Sequence, residues 1–223
     1  MRSLTKALPV VALVTMSAFF GRKSIYDQIT SKANRKGWLP AGFLLSGSEE
    51  SPGAAQAPGE ADGTLLLHSD MREINPEAFE EFILLLKAVC ENPKMKKENE
   101  KALAGFFTKS HVLTLIDRLC DEVFNPERGI DLLGLADAAL EMAVGSDDIN
   151  IVKLGISLMG ILNVEDRGDC RSAVIALGKY EEFTFYSLFA VSEWRDADRI
   201  ASDYARNLKG WGKTHAGLWL EAD

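Results

Sequence analysis

Three cysteines, Cys90, Cys120 and Cys170, are all that a chain of 223 residues contains. They stand 30 and 50 residues apart, so no two have metal-pair spacing, and an odd number argues against a disulfide framework. A reducing cytoplasm is the compartment that fits this usage. Positive charge is in deficit: 25 Lys and Arg against 33 Asp and Glu leave a net charge of −8. That balance disfavours a general nucleic-acid binder, which needs a basic field for the phosphates. Strand signals are missing too. No apolar–polar alternation is sustained, no Asn-Gly or Asp-Gly turn joins two β-branched runs, and Leu65-Leu66-Leu67 is too short to found a sheet. The apolar stretch from Ala7 to Phe20 has 14 residues and a proline at Pro9, against about 20 for a membrane-spanning helix. What remains, 47% hydrophobic and 26% charged residues, describes a globular chain with a sizeable core. A collagen, a disordered tail and a multi-span membrane protein are excluded.

Residues 1–23 read as an apolar-basic leader. Arg2 and Lys6 precede the apolar stretch, and Met16-Ser17-Ala18-Phe19-Phe20-Gly21 offers no clean small-x-small cleavage site. Translation from Met16, a membrane-surface anchor and secretion are the expectations, in that order. Residues 1–36 carry seven Lys or Arg and one acid, Asp27, so the basic end is either a solvated leader or a weak attractor of anionic lipid.

Residues 24–45 predict a short helical segment, running from Ser24 to Lys36 and stopped at Gly37. Residues 46–64, rich in Ser, Gly, Pro and Ala, hold almost nothing that could enter a core and predict a flexible linker or long surface loop. From residue 65 onward the texture changes to one helix after another. Asn75-Pro76-Glu77 is an N-cap, a first-turn proline and a first-turn acid, and Phe79, Phe82, Ile83, Leu86, Val89 and Cys90 follow as one apolar stripe. Ser110 predicts a cap, Asn125-Pro126 a stop, and Asp147-Asp148 the start of a helix apolar on most sides, through Ile151, Val152, Leu154, Ile156, Leu158 and Met159. Helix starts near 76, 94, 111, 129, 148, 166, 181, 196 and 211 are 15 to 19 residues apart, and short connections force consecutive helices to be antiparallel neighbours. The expected fold is all-α, a HEAT-like α-solenoid of antiparallel helix pairs over residues 65–223. Leu218, Trp219 and Leu220 are still apolar-periodic near the end, so the array reads as cut in mid-repeat.

Candidate chemistry is sparse. Gly212-Lys213-Thr214 matches the end of a phosphate-binding loop, but Asn207 stands where its first glycine belongs and no strand leads in. Trp211 packing into an inter-helix joint, after a helix stop at Gly210, is the better reading. Gly129, Gly134, Gly155, Gly160 and Gly168 never reach a dinucleotide fingerprint and suit close helix approach. No Tyr has a Lys four residues on, the pairing that short-chain alcohol dehydrogenases use. His68, His111 and His215 lack a Glu three residues before them, and His111 reads as a core or cap residue. Cys170, in Gly168-Asp169-Cys170-Arg171, is the nearest approach to a haem-thiolate loop, whereas Cys90 and Cys120 read as small core residues. Paired acids such as Glu181-Glu182 suit helix first turns. Phe183, Phe185, Tyr186 and Phe189, with Trp194 nearby, are either core or the lining of an apolar pocket.

Three strings carry a resemblance: Lys23-Ser24-Ile25-Tyr26-Asp27-Gln28-Ile29, Ala57-Pro58-Gly59-Glu60-Ala61-Asp62-Gly63 and Lys209-Gly210-Trp211-Gly212-Lys213-Thr214-His215-Ala216. They resemble a bacterial family of helical-repeat proteins, some members of which are named limonene hydroxylase or carveol dehydrogenase. The resemblance implies a short leader, and so a start at Met16, with repeats that continue beyond Asp223. It also implies hydroxylation of limonene to carveol and perillyl alcohol, further oxidation of those alcohols, and dependence on NAD(P)H. Oxidising an unactivated C–H bond needs haem, flavin or iron. The residues supply no motif for any of these, and so no catalytic or cofactor-binding position is assigned. The residues themselves favour a non-enzymatic scaffold that holds a peptide or partner protein in a solenoid groove.

Overall fold

The computed structural model describes residues 23–46, 56–68, 74–91 and 96–222, and among these every regular element is a helix. In chain order they are α1 (Ile25–Lys32), α2 (Glu60–His68), α3 (Pro76–Glu91), α4 (Lys96–Phe106), α5 (Leu113–Glu122), α6 (Leu132–Gly145), α7 (Ile149–Ile161), α8 (Gly168–Leu177), α9 (Thr184–Val191), α10 (Ala197–Asn207) and α11 (Gly210–Ala222). Single 3-10 turns, Pro126–Arg128 and Glu181–Phe183, lead into α6 and α9. No described helix is long and apolar enough to cross a membrane. The expectations for the leader at residues 1–23 fall almost wholly outside the described residues.

Local chemistry explains most of the boundaries. The Ser24 hydroxyl accepts from the Asp27 N–H at 3.1 Å and caps α1. Asn75 Oδ1 accepts from the Glu77 N–H at 2.8 Å ahead of Pro76, where a missing donor costs nothing. Asp131 caps α6 through the Leu133 N–H, and Asp148 caps α7 through the N–H groups of Asn150 and Ile151. Each of these supplies an acceptor to a backbone donor that the first helical turn leaves open. The cap expected at Ser110 is absent: α5 begins at Leu113 after Val112, with no side-chain cap bond. All nine helix starts expected between 76 and 211 nonetheless have a helix beginning within three residues.

Sequential helices pack as pairs, α3 with α4, α6 with α7, α8 with α9 and α10 with α11. Alternate helices also touch, α6 with α8, α7 with α9 and α9 with α11, while α3 meets α6 and α4 meets α7 across two intervening helices. The centre of this packing is α7, in which every residue from Ile151 to Met159 is buried. Two glycines let its neighbours in. A Cβ at Gly155 would stand 2.7 Å from the Ala139 carbonyl oxygen and 2.8 Å from the Ala143 nitrogen, and one at Gly160 would stand 2.6 Å from Ala190 Cα.

The N-terminal segments do not simply precede the helical array. α1 packs on α6 and α8, and the Ile25 N–H donates to the Ser146 carbonyl at 2.9 Å. Trp38 and Phe43 then meet Tyr204 and Tyr180 edge-on. The linker expected over residues 46–64 is corrected at its C-terminal end. Residues 60–64 belong to α2, which packs on α11, and Gly59, Asp62 and Gly63 are buried.

Candidate functional site

A charged cluster sits where α2, α7, α9 and α11 come together. Lys153 projects from the buried helix α7 with a side chain only 6% exposed, and its ammonium lies 2.6 Å from Asp62 Oδ2. The same ammonium donates to Glu182 Oε1, in the 3-10 turn before α9. The second oxygen of Asp62 accepts from the Tyr186 hydroxyl at 2.9 Å, and Glu182 Oε2 accepts from the Gly59 N–H at 2.7 Å. Burial opposes the charged form of Lys153, but Glu182 and Asp62 outweigh it and hold its pKa above the usual lysine value. Burial first, then the Asp62 charge, pushes the Tyr186 hydroxyl well above the ordinary tyrosine value, so it remains a donor.

His215 completes the rim. Its ring packs on Phe185 at 5.7 Å and Trp211 at 6.0 Å, and Nε2 is buried with no hydrogen-bond partner. Burial holds its pKa below the ordinary histidine value. Two carboxylates face one ammonium here, and none of these side chains lines the two clefts described next. The arrangement is suited to fastening chain segments together.

One cleft, of about 290 Å³, lies between α3, α4 and α6, with Val89, Leu103, Ala138 and Met142 as apolar walls and Glu100, Asp137 and Glu141 among its lining. Asp137 is already paired with Arg167 at 2.8 Å. Cys90 lines the same cleft, and burial pushes its thiol up to about 11, so it is an unionised, weakly nucleophilic wall. The other, of about 400 Å³, is walled by Trp38, Phe43, Lys179, Tyr180, Leu208 and Lys209. There burial lowers Lys179 and pushes Tyr180 up to about 12, and the Lys179 ammonium stands 4.9 Å from the Trp38 ring centre.

The side chains singled out in the sequence fall mostly into packing. Phe183 and Tyr186 are fully buried, Phe185 and Phe189 are partly buried against the core, and none of the four lines either cleft. Phe183 packs on Tyr180 and Phe185 on Tyr186. Trp194 is also core, with Arg171 stacked 4.9 Å from its ring centre. His111 is exposed ahead of α5, not core, because the helix starts two residues later than its cap signal. Cys120 is exposed as well, since α5 turns its apolar stripe through Leu115, Ile116 and Leu119 and leaves position 120 outside. Cys170 is buried inside the first turn of α8, where its thiol is pushed up to about 11 by burial. Gly210 opens α11 instead of stopping a helix. Among the described residues no three His, Cys, Asp or Glu side chains are grouped to hold a metal ion.

The nicotinamide dinucleotide implied by the resemblance does not fit these residues. It needs an open helix N-terminus after a glycine-rich turn. At α11, the one start with the Gly-Lys-Thr string, the Glu181 carboxylate already lies against Gly210 and the Trp211 amide. A carboxylate there repels a phosphate. Gly155 and Gly160 are closed by neighbouring helices.

Sequence reasoning missed Asp62 and Lys153. The signal available was weak: one lysine inside an otherwise apolar helix, and Asp-Gly in a string that the resemblance had already singled out. The chain matches no protein-family model, no curated protein and no solved structure.

Proposed function

We propose that this chain is a non-catalytic helical-repeat scaffold, HEAT-like in its stack of antiparallel helix pairs, that holds a protein or peptide segment. The observation that carries this reading is the cleft between α3, α4 and α6, which combines apolar walls with the carboxylate of Glu100. Such a surface suits a segment that buries apolar side chains and flanks them with lysine or arginine. The paired contacts of successive and alternate helices support the stacked arrangement. The charged side chains that are deeply buried, Asp62 and Lys153, are committed to one another.

Panning a displayed library of random short peptides on the immobilised chain tests this. Enriched sequences with an apolar centre and basic flanks are expected, and Glu100→Lys should weaken their binding. An enrichment indifferent to Glu100→Lys, or none, would overturn the reading. The activity implied by the resemblance is tested on the same preparation with limonene, NADH and isotopically labelled dioxygen. Labelled carveol or perillyl alcohol, absent from a heat-inactivated control, would replace the scaffold with a monooxygenase.

A further inference from the structure

The cleft of about 400 Å³ has no part in the scaffold reading, and the fold itself holds its walls. Residues 34–38 form one tight loop. Asn34 Oδ1 accepts from the N–H groups of Lys36 at 2.8 Å and Trp38 at 3.1 Å, and the Asn34 N–H donates to the Trp38 carbonyl at 2.9 Å. Trp38 then meets Tyr204 with ring centres 6.4 Å apart, and Phe43 meets Tyr180 at 5.6 Å. Rings anchored in this way line the cleft at little ordering cost to a ligand. Gly37, at φ +79°, makes room for the Lys179 ammonium, since a Cβ there would stand 2.6 Å from Nζ. That ammonium donates to the Lys36 carbonyl at 3.3 Å and faces the Trp38 ring, and among the described residues no carboxylate comes within ion-pair distance of it. Asp203 attracts it from farther away and itself accepts from Asn207 Nδ2 at 3.3 Å. Lys209 lines the same cleft, exposed and likewise without an ion pair among the described residues. Glu181, also in the lining, accepts from the Trp211 amide and feels the Lys209 charge only from beyond ion-pair distance.

Fixed aromatic walls beside two ammonium groups with no counter-ion call for a flat apolar body that carries negative charge. No arginine fork lines the cleft, and the adjoining N-terminus of α11 already carries the Glu181 carboxylate, so a single carboxylate is matched better than a phosphate chain. We propose that this cleft, between residues 38–44 and the ends of α8 and α10, binds a small aromatic acid. Its ring lies against Trp38, Phe43, Tyr180 and Leu208, and its carboxylate meets the ammonium groups of Lys179 and Lys209.

Equilibrium dialysis of the full chain against naphthoate tests this, with naphthylmethanol as its neutral isostere and decalin carboxylate as its saturated counterpart. Naphthoate should bind saturably, at a single site per chain. The alcohol should bind at least about tenfold more weakly, because it brings no charge to the lysines. The saturated acid should bind at least about threefold more weakly, because it cannot stack on the rings. Lys179→Met and Lys209→Met should each weaken naphthoate by at least about fivefold and leave the alcohol nearly unchanged, a split that a packing defect would not produce. Lys209 is exposed and unpaired among the described residues, so Lys209→Met keeps the test valid even where Lys179→Met loses its cooperative unfolding in urea. Absence of saturable binding, equal affinity for acid and alcohol, or a naphthoate affinity unmoved by Lys209→Met would each overturn the proposal.

Discussion

Replacing Lys153 with methionine isolates what the buried cluster contributes. Methionine matches the aliphatic stem and fills the same space in α7, so the cavity cost is small. The ammonium lies 2.6 Å from Asp62, with side chains only 6% and 4% exposed. At an effective dielectric constant of about 20, attraction at that separation is worth roughly 6 kcal/mol, before the several kcal/mol per ion that desolvation takes back. The intact cluster therefore contributes little net stability, but the single variant leaves Asp62 buried and Glu182 partly buried without a cation. Breaking a buried pair on one side costs about 3–5 kcal/mol. For a chain of this size that corresponds to a fall in Tm of about 6–20 °C. Urea unfolding followed by far-UV circular dichroism measures it, since urea does not screen the pair as guanidinium would. The double variant Lys153→Met/Asp62→Asn removes one of the stranded charges, while the carbonyl of the substituted side chain still accepts from Tyr186. Its cost should fall short of the sum of the two single variants by at least about 1 kcal/mol. A Lys153→Met chain within about 1 kcal/mol of the unaltered protein would refute the reasoning, because it would mean that solvent already screens the cluster.

Gly155→Ala should destabilise by about 1–3 kcal/mol, because the methyl meets backbone atoms of α6 that cannot rotate away; an unchanged urea midpoint would contradict the close α6–α7 approach. Iodoacetamide with peptide mass spectrometry should label exposed Cys120 first, Cys90 more slowly, and Cys170 only on unfolding, and equal rates would count against the burial of α8. His215 has its pKa lowered by burial, so its contribution to stability is complete above pH 6.5 and is lost as pH falls through the folded value. That acid slope, up to about 1.4 kcal/mol per pH unit, should be missing from His215→Phe; the same slope in both proteins would assign it elsewhere. Lys153 and Tyr186 have raised pKa values, so their contributions are complete below pH 10.5 and pH 10.0 respectively and are lost as pH rises through the folded values. Alkaline unfolding should accordingly set in above pH 10.0, and a flat urea midpoint through that range would speak against their burial.

Helix positions are legible because their signals are local. Asn75, Asp131 and Asp148 each satisfy backbone donors two or three residues away, so any chain with those residues at those positions receives the same instruction. The burial of α7 is equally local in origin, since a helix apolar on most sides can only be placed between neighbours. The aromatic group at 183–189 shows the limit of that logic. Periodicity says that those rings face inward, but whether they enclose a pocket or fill it depends on how closely α7, α9 and α11 approach; Gly160 lets α7 lie against α9, and Phe185 packs on Tyr186 and His215.

The sequence by itself determined an all-helical chain, the approximate start of each helix from residue 76 onward, and the central position of α7, because capping and hydrophobic periodicity act over a few residues. Only the tertiary structure decided that α1 lies across α6 and α8, that residues 60–64 are helical, and that Asp62 meets a lysine 91 residues away. A polar, glycine-rich string reads as solvent-exposed until its counter-ion is known. The energy that buries Asp62 comes from Lys153 and Tyr186, which no local window contains.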